Sequence, residues 1–96
     1  MWSRTAETTS LLGRFATSRS GRDVGTLYLV IGTAEPASVL VADGRSRGVA
    51  RPKRKNLRHL TLREEISTLA PRLAAGQAVT DEEIRSAIAA LAAAAE

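Results

Sequence analysis

The stretch GRDVGTLYLVI, residues 21–31, carries the clearest structural signal in the chain. Its second half, residues 26–31, is rich in β-branched and aromatic side chains, which are typical of strands. Gly21 and Gly25 permit turn conformations and close backbone approaches that a Cβ would obstruct. The stretch therefore predicts a glycine-punctuated turn that leads into a strand.

Short strands separated by turns are predicted on both sides of this stretch. The further candidate strands are residues 11–17, 38–42, 49–52 and 56–60. Asp43-Gly44 predicts a two-residue hairpin turn, because such turns need positive φ. Five short strands in about 50 residues cannot bury their faces as an open sheet, so they are expected to close into a small barrel.

From Thr61 onward the apolar period changes from two residues to about 3.6. Thr61 and Glu64 form a capping-box pattern, which predicts a helix start, and Gly76 supplies a stop. The predicted apolar face of this helix consists of Leu62, Ile66, Leu69 and Leu73. Pro71 is expected to kink or break the helix, because it lacks a backbone donor.

A second helix start is predicted at Thr80 and Glu83, which repeat the capping box. Its acidic first turn complements the positive end of a helix, and its apolar face consists of Ile84, Ile88, Leu91 and Ala95. The sequence thus predicts a mainly β protein with an α-helical tail. Its three parts are a flexible N-terminus (1–10), a barrel (11–60) and an antiparallel helical hairpin (61–96).

Length and composition exclude several functions. The chain has 96 residues, no cysteine and one histidine, so neither a disulfide framework nor an ordinary zinc site can be assembled. No serine or carboxylate pattern indicates a nucleophile with its base, and we expect no enzymatic activity, cofactor or metal. No apolar run suits a signal peptide or a membrane span. A soluble cytoplasmic protein is therefore expected.

Charge is unevenly distributed along the chain. Residues 11–60 contain ten Arg and Lys against three acids, which gives a net charge of +7, whereas residues 61–96 have three Arg against six acids, which gives −3. A polyanionic partner is therefore expected to meet the middle of the chain and not its end.

Four pieces in order, GRDVG, TLYLVIG, VLVADG and RPKRKNLRHL, resemble bacterial KOW-domain RNA-binding proteins. These proteins are in turn similar to a KOW-containing large-subunit ribosomal protein of the archaeal and eukaryotic type. The resemblance covers residues 11–60, and GQAVTDEEIRSAI is similar to the ends of such chains. It implies an SH3-like barrel whose KOW segment spans two strands and their loop, with structured RNA such as rRNA as the ligand. One departure is Val24, at a position that is commonly basic in these relatives.

The candidate RNA contacts lie in the glycine turn and in two basic stretches. They are Arg19, Gly21, Arg22, Gly25, Arg45, Arg47, Arg51, Lys53, Arg54, Lys55 and Arg58. Backbone amides and arginines of the turn can lie against phosphates. The five cations in residues 51–58 repel one another, which an anionic partner would relieve. In the alternative interpretation, the glycines only make a turn and the cations only solvate the surface.

The remaining candidates are assigned structural roles or none. Tyr28 and Phe15 are expected in the core, His59 on a partly exposed strand, and Trp2 receives no role. Two functions stay open: an RNA-binding protein associated with the ribosome or rRNA, and a protein-interaction adaptor that docks partners through its last helix. No membrane partner is expected.

Overall fold

The computed structural model describes residues 11–94. The strands are β1 (Arg14–Ser18), β2 (Leu27–Ala34), β3 (Ser38–Ala42), β4 (Lys53–Asn56) and β5 (Leu60–Ile66). A 3₁₀ turn (Leu57–His59) joins β4 to β5, and two helices follow, α1 (Ala70–Ala74) and α2 (Asp81–Ala94). The mainly β prediction with a C-terminal helix is confirmed. The segment that was predicted to be flexible, residues 1–10, and Trp2 within it lie outside the described residues.

The five strands form one antiparallel sheet in the order β4-β3-β2-β1-β5. Phe15 pairs with Leu29, which in turn pairs with Ala42. The two edge strands, β4 and β5, are not paired with one another in this strand order, so the sheet is open. They follow one another in sequence and are connected by the 3₁₀ turn.

Both faces of the sheet carry buried apolar side chains. Neighbouring residues of each strand point to opposite faces, so the buried residues form two separate cores. One core contains Phe15, Leu29 and Ala42 together with helical residues. The other core lies on the opposite face and consists of Ala16, Tyr28, Val30, Val39, Val41 and Leu60. A fully buried side chain such as Leu29 stabilises the fold by about 2 kcal/mol.

The helical tail covers the first of these faces. Leu69, Val79 and Ile84 are buried in the Phe15 core, and Ile88 and Leu91 pack against it. The predicted capping box at the start of α2 is confirmed, because the Glu83 amide donates to Thr80 Oγ1 at 3.1 Å. No helix within residues 11–94 is long and apolar enough to cross a membrane.

The helix predicted from Thr61 is wrong over its first part. Residues 60–66 form β5, in which Leu60 pairs with Ser18 and Leu62 with Ala16. The pattern was ambiguous because Leu60 and Leu62 also fit a strand period of two. Pairing with β1 satisfies the backbone groups on one side of this segment, and Leu60 is buried. Pro71 consequently falls in the first turn of α1. Backbone N–H groups in this turn have no partner within the helix, so the N–H that proline lacks costs no hydrogen bond.

The predictions for the β3–β4 connection are also wrong. Residues 43–52 form a long loop instead of a hairpin turn followed by a strand at 49–52, and residues 57–59 form the 3₁₀ turn instead of a strand at 56–60. Gly44 does adopt a positive φ of 76°. No two-residue hairpin turn forms here, however, because the Asp43 carboxylate accepts the amides of Arg45 and Arg47 and holds them in a wider loop.

Candidate nucleic-acid interface

The β1–β2 loop, residues 19–26, is organised around the carboxylate of Asp23. Its Oδ1 accepts hydrogen bonds from Ser18 Oγ at 2.9 Å and from Lys55 Nζ at 3.0 Å. Its Oδ2 accepts one from the Tyr28 hydroxyl at 2.6 Å. Gly21 and Gly25 both adopt a φ of 90°. The loop is thus fixed from below by side chains of the sheet.

The same contacts set the protonation of Asp23. Desolvation by burial raises the pKa of this carboxyl. The hydrogen bonds from Tyr28, Lys55 and Ser18 together lower it by more, so the pKa lies well below its usual range. Burial, followed by the hydrogen bond to Asp23 and then by the charge of Asp23, raises the pKa of Tyr28 above its ordinary value. Asp23 is therefore a stable anion that pins the loop.

Lys55 is turned inward, unlike the RNA contact that its basic stretch predicted. Only 8% of its surface is exposed, and its Nζ also donates to the Ser20 carbonyl at 3.0 Å. Lys53, two residues earlier on the same face of β4, places its Nζ 3.4 Å from Asp23 Oδ2. Both lysines are therefore paired with the partly buried Asp23 carboxylate, which neutralises one of their two positive charges.

Arg54 points to the other face of β4. Its guanidinium donates to the carbonyl of Glu35, in the turn between β2 and β3. The structure thus separates Arg54 from Lys53 and Lys55, although the three are consecutive in sequence. The basic run does not form one continuous surface, because strand side chains alternate.

Apart from Arg54, the exposed arginines of the described residues lie on the β1–β2 loop, the β3–β4 loop and the 3₁₀ turn. They are Arg19, Arg22, Arg45, Arg47, Arg51 and Arg58. The two loops emerge at the same end of the sheet, since Thr17 pairs with Leu27 and Val41 with Lys53. The salt bridges among residues 11–94 involve other side chains. We call these six residues the arginine surface.

Arg58 joins this surface through the backbone beside it. The amide of Arg19 donates to the His59 carbonyl at 2.9 Å, and Ser20 Oγ lies 2.7 Å from His59 Nδ1. Tyr28 and Phe15 are buried, as predicted. His59 is partly exposed, as predicted, but it lies in the 3₁₀ turn and not on a strand. The histidine therefore connects the 3₁₀ turn to the β1–β2 loop, which we call the glycine loop after Gly21 and Gly25.

The β3–β4 loop rests on α2, a contact that the sequence analysis missed. The Val49 amide donates to Asp81 Oδ1 at 2.8 Å, and Arg85 Nη1 donates to the Gly44 carbonyl at 2.6 Å. Asp81 was predicted only to complement the helix end. The two glycines of the loop, Gly44 and Gly48, were the available signal, because glycines often mark a close approach of two backbones.

Comparison with known proteins gives one informative match. No family model matches the chain. A protein of Bacillus subtilis (strain 168), named "Putative ribosome-binding protein YbzG", is 39% identical over 57 residues, which cover 59% of this chain and 77% of the relative.

Proposed function

Because the chain belongs to the same family as the putative ribosome-binding protein YbzG of Bacillus subtilis, we propose that it associates with the ribosome by binding rRNA. The arginine surface carries this proposal: two loops at one end of the sheet, and the 3₁₀ turn that is bonded to the first of them, present exposed cations. Phosphates that pair with these arginines release condensed counterions, which favours binding. We infer no catalytic activity and no cofactor.

The proposed recognition is of RNA shape and phosphates, not of sequence. Sequence-specific RNA binding generally stacks unpaired bases on aromatic side chains. Tyr28 and Phe15 are buried in the two cores and are not available for stacking. Arginine contacts to phosphates position a protein on RNA without reading its bases.

We further propose that the sheet is the SH3-like barrel of KOW proteins. Supporting this, β1 pairs with both β2 and β5, and the core that contains Tyr28 and Val39 also contains Leu60 of the opposite edge. The connection from Arg19 to His59 brings the start of β5 against the glycine loop. In this arrangement GRDVG is the loop of the KOW segment.

A non-enzymatic role is favoured despite the contact between Ser20 and His59. Serine hydrolases activate the hydroxyl through an imidazole that a carboxylate orients. Here Ser20 faces Nδ1, and the other ring nitrogen lies 3.5 Å from Arg58 Nε. A guanidinium therefore stands where a serine hydrolase has the carboxylate that orients its imidazole.

The adaptor alternative receives less support from α2. Its apolar side chains, Ile84, Ile88 and Leu91, pack on the sheet and are not displayed to a partner. The exposed part of the helix is largely alanine, which buries little area in an interface. A protein partner on α2 therefore remains the second candidate, which the binding experiment below distinguishes.

The test is sedimentation with purified bacterial ribosomes, paired with titration of a 20-base-pair RNA hairpin. The double variant Arg45→Gln/Arg47→Gln is compared with Arg54→Gln/Arg63→Gln, which removes the same charge outside the arginine surface. The first variant is expected to bind both probes more weakly, and its slope of log K against log salt should become shallower by about 1.5. Equal binding of the two variants would contradict the proposed surface. Ribosome binding by the wild type without hairpin binding would favour the adaptor.

A further inference from the structure

We propose that Asp81 and Arg85 of α2 are positioning residues that hold the β3–β4 loop in its RNA-binding shape. Neither is placed as an RNA contact. This inference rests on the proposed function, and it assigns to the acidic helical tail a direct part in the arginine surface. The charge pattern instead predicted that a polyanion meets the middle of the chain and not this tail.

The two residues fasten the loop on both sides of its arginines. Arg85 Nη1 donates to the carbonyl of Gly44, immediately before Arg45, at 2.6 Å. Asp81 Oδ1 accepts the amide of Val49, two residues after Arg47, at 2.8 Å. Because the anchors bracket the arginines, a movement of α2 must also move the segment that carries them.

The loop approaches the helix at backbone distance. A Cβ on Gly44 would lie 2.5 Å from the carbonyl oxygen of Asp81, and a Cβ on Gly48 would lie 2.9 Å from its Oδ2. Gly44 could not carry a side chain without displacing the loop or the helix, and a side chain at Gly48 would displace the Asp81 carboxylate. The close fit means that the loop is seated on α2 and does not merely pass near it.

Between the two anchors the loop is braced internally. Asp43 Oδ1 accepts the amides of Arg45 and Arg47, both at 2.9 Å, and the Arg47 carbonyl accepts the amides of Asp43 and Gly44 at 3.0 and 3.1 Å. A segment that is ordered before binding pays less entropy on binding. The anchors should therefore increase RNA affinity without contacting RNA.

The sign of the charge separates positioning from electrostatics. Asp81 is an anion beside a phosphate-binding surface, so its removal should strengthen RNA binding if only long-range charge matters. If Asp81 holds the loop, its removal should weaken binding. Glu82 is the matched control, because it is exposed, acidic and in the same helical turn.

The experiment compares Asp81→Ala with Glu82→Ala on the 20-base-pair RNA hairpin, at a temperature where both variants are folded by circular dichroism. Asp81→Ala is expected to bind the hairpin about fivefold more weakly, the scale of one lost net hydrogen bond. Its slope of log K against log salt should also be shallower. Asp81→Asn, which keeps an acceptor for Val49, should recover most of the loss. Equal or tighter binding by Asp81→Ala than by Glu82→Ala overturns the inference.

Gly48→Ala should disturb the contact between the β3–β4 loop and Asp81 in a second way. Its φ lies outside the positive region, so its effect should come from the Asp81 carboxylate that the new Cβ meets. We expect weaker hairpin binding in the wild-type background and little further effect in Asp81→Ala, as coupled neighbours require. Additive effects overturn the inference.

Amide hydrogen exchange without RNA distinguishes this inference from the proposed function. The Val49 amide and the neighbouring amides of Arg45 and Arg47 should exchange faster in Asp81→Ala than in Glu82→Ala. Unchanged exchange overturns the positioning role even if ribosomes bind. Conversely, if the wild type binds neither ribosomes nor the hairpin, the proposed function fails, and with it the role of these anchors in RNA binding.

Discussion

Lys55 Nζ lies 3.0 Å from Asp23 Oδ1, so a cation of the basic stretch is a structural partner of the glycine loop. Lys55 and the side chains of Asp23 and Tyr28 form one network beneath that loop. The network explains why a loop with two glycines can hold one shape. Arg22 is thereby presented from a fixed backbone.

Replacing Lys55 with methionine is expected to lower the free energy of unfolding by about 2 kcal/mol, the scale of a hydrogen bond to a charged group. The change leaves Asp23 partly buried with fewer donors. Arg54→Met, on the opposite face of β4, should have a much smaller effect. Urea unfolding measures both values. A Lys55→Met protein as stable as the wild type would show that the network does not support the fold.

Acid should weaken the fold through Asp23. Its pKa is lower in the folded state than the ordinary unfolded value of about 3.9, so its contribution to stability is complete above about pH 5 and is lost as the pH falls through 4 toward the folded pKa. Asp23→Asn should be less stable at pH 7 and show a smaller loss between pH 5 and 2. Urea unfolding at several pH values tests this, with Glu35→Gln as the control for loss of an exposed carboxylate. An unchanged acid profile in Asp23→Asn would contradict the prediction.

Two positive-φ glycines should respond differently to substitution. Gly25 has a φ of 90° and open space around a new Cβ, so Gly25→Ala should cost about 1 kcal/mol of backbone strain. At Gly44 a Cβ would also meet the backbone of Asp81, and overpacking should add at least about 1 kcal/mol. Thermal unfolding compares the two variants, with Gly76→Ala as a second open position. Equal costs would show that the loop moves off α2 without penalty.

The strands of the sheet were predictable where composition and period agreed. Residues 38–42, a short apolar run that contains two valines, form β3 as predicted, and the apolar residues after Gly25 form β2. At residues 61–66, however, the capping-box pattern and the spacing of Leu62 and Ile66 also fitted a helix. Only the pairing of this segment with β1 decides between the two, and pairing is a long-range property.

The residue types of the candidate site were predictable from the sequence, but the directions in which its side chains point were not. The sequence indicated a basic middle of the chain, and six of its exposed arginines do lie on two loops and the 3₁₀ turn, whereas Arg54 points to the β2–β3 turn. The inward direction of Lys55 depends on where Asp23 is placed by a different loop. Likewise, the seat of the β3–β4 loop depends on Asp81, far away in sequence. Charge counts report neither relationship.

The C-terminal boundary of the sheet can be tested by truncation. A chain that ends at Leu60 loses most of β5 and therefore the second partner of β1, so it should lack a cooperative unfolding transition. A chain that ends at Gly76 retains all five strands and α1 but loses Ile84, whose burial is worth about 2 kcal/mol, and it uncovers the core that contains Phe15. It should keep β-type circular dichroism, unfold at lower urea and bind a hydrophobic dye. Both fragments lack α2, and the shorter one also lacks α1 and most of β5, so the comparison measures what these two elements add together. If the chain that ends at Leu60 unfolds as cooperatively as the longer fragment, β5 is not needed to complete the sheet.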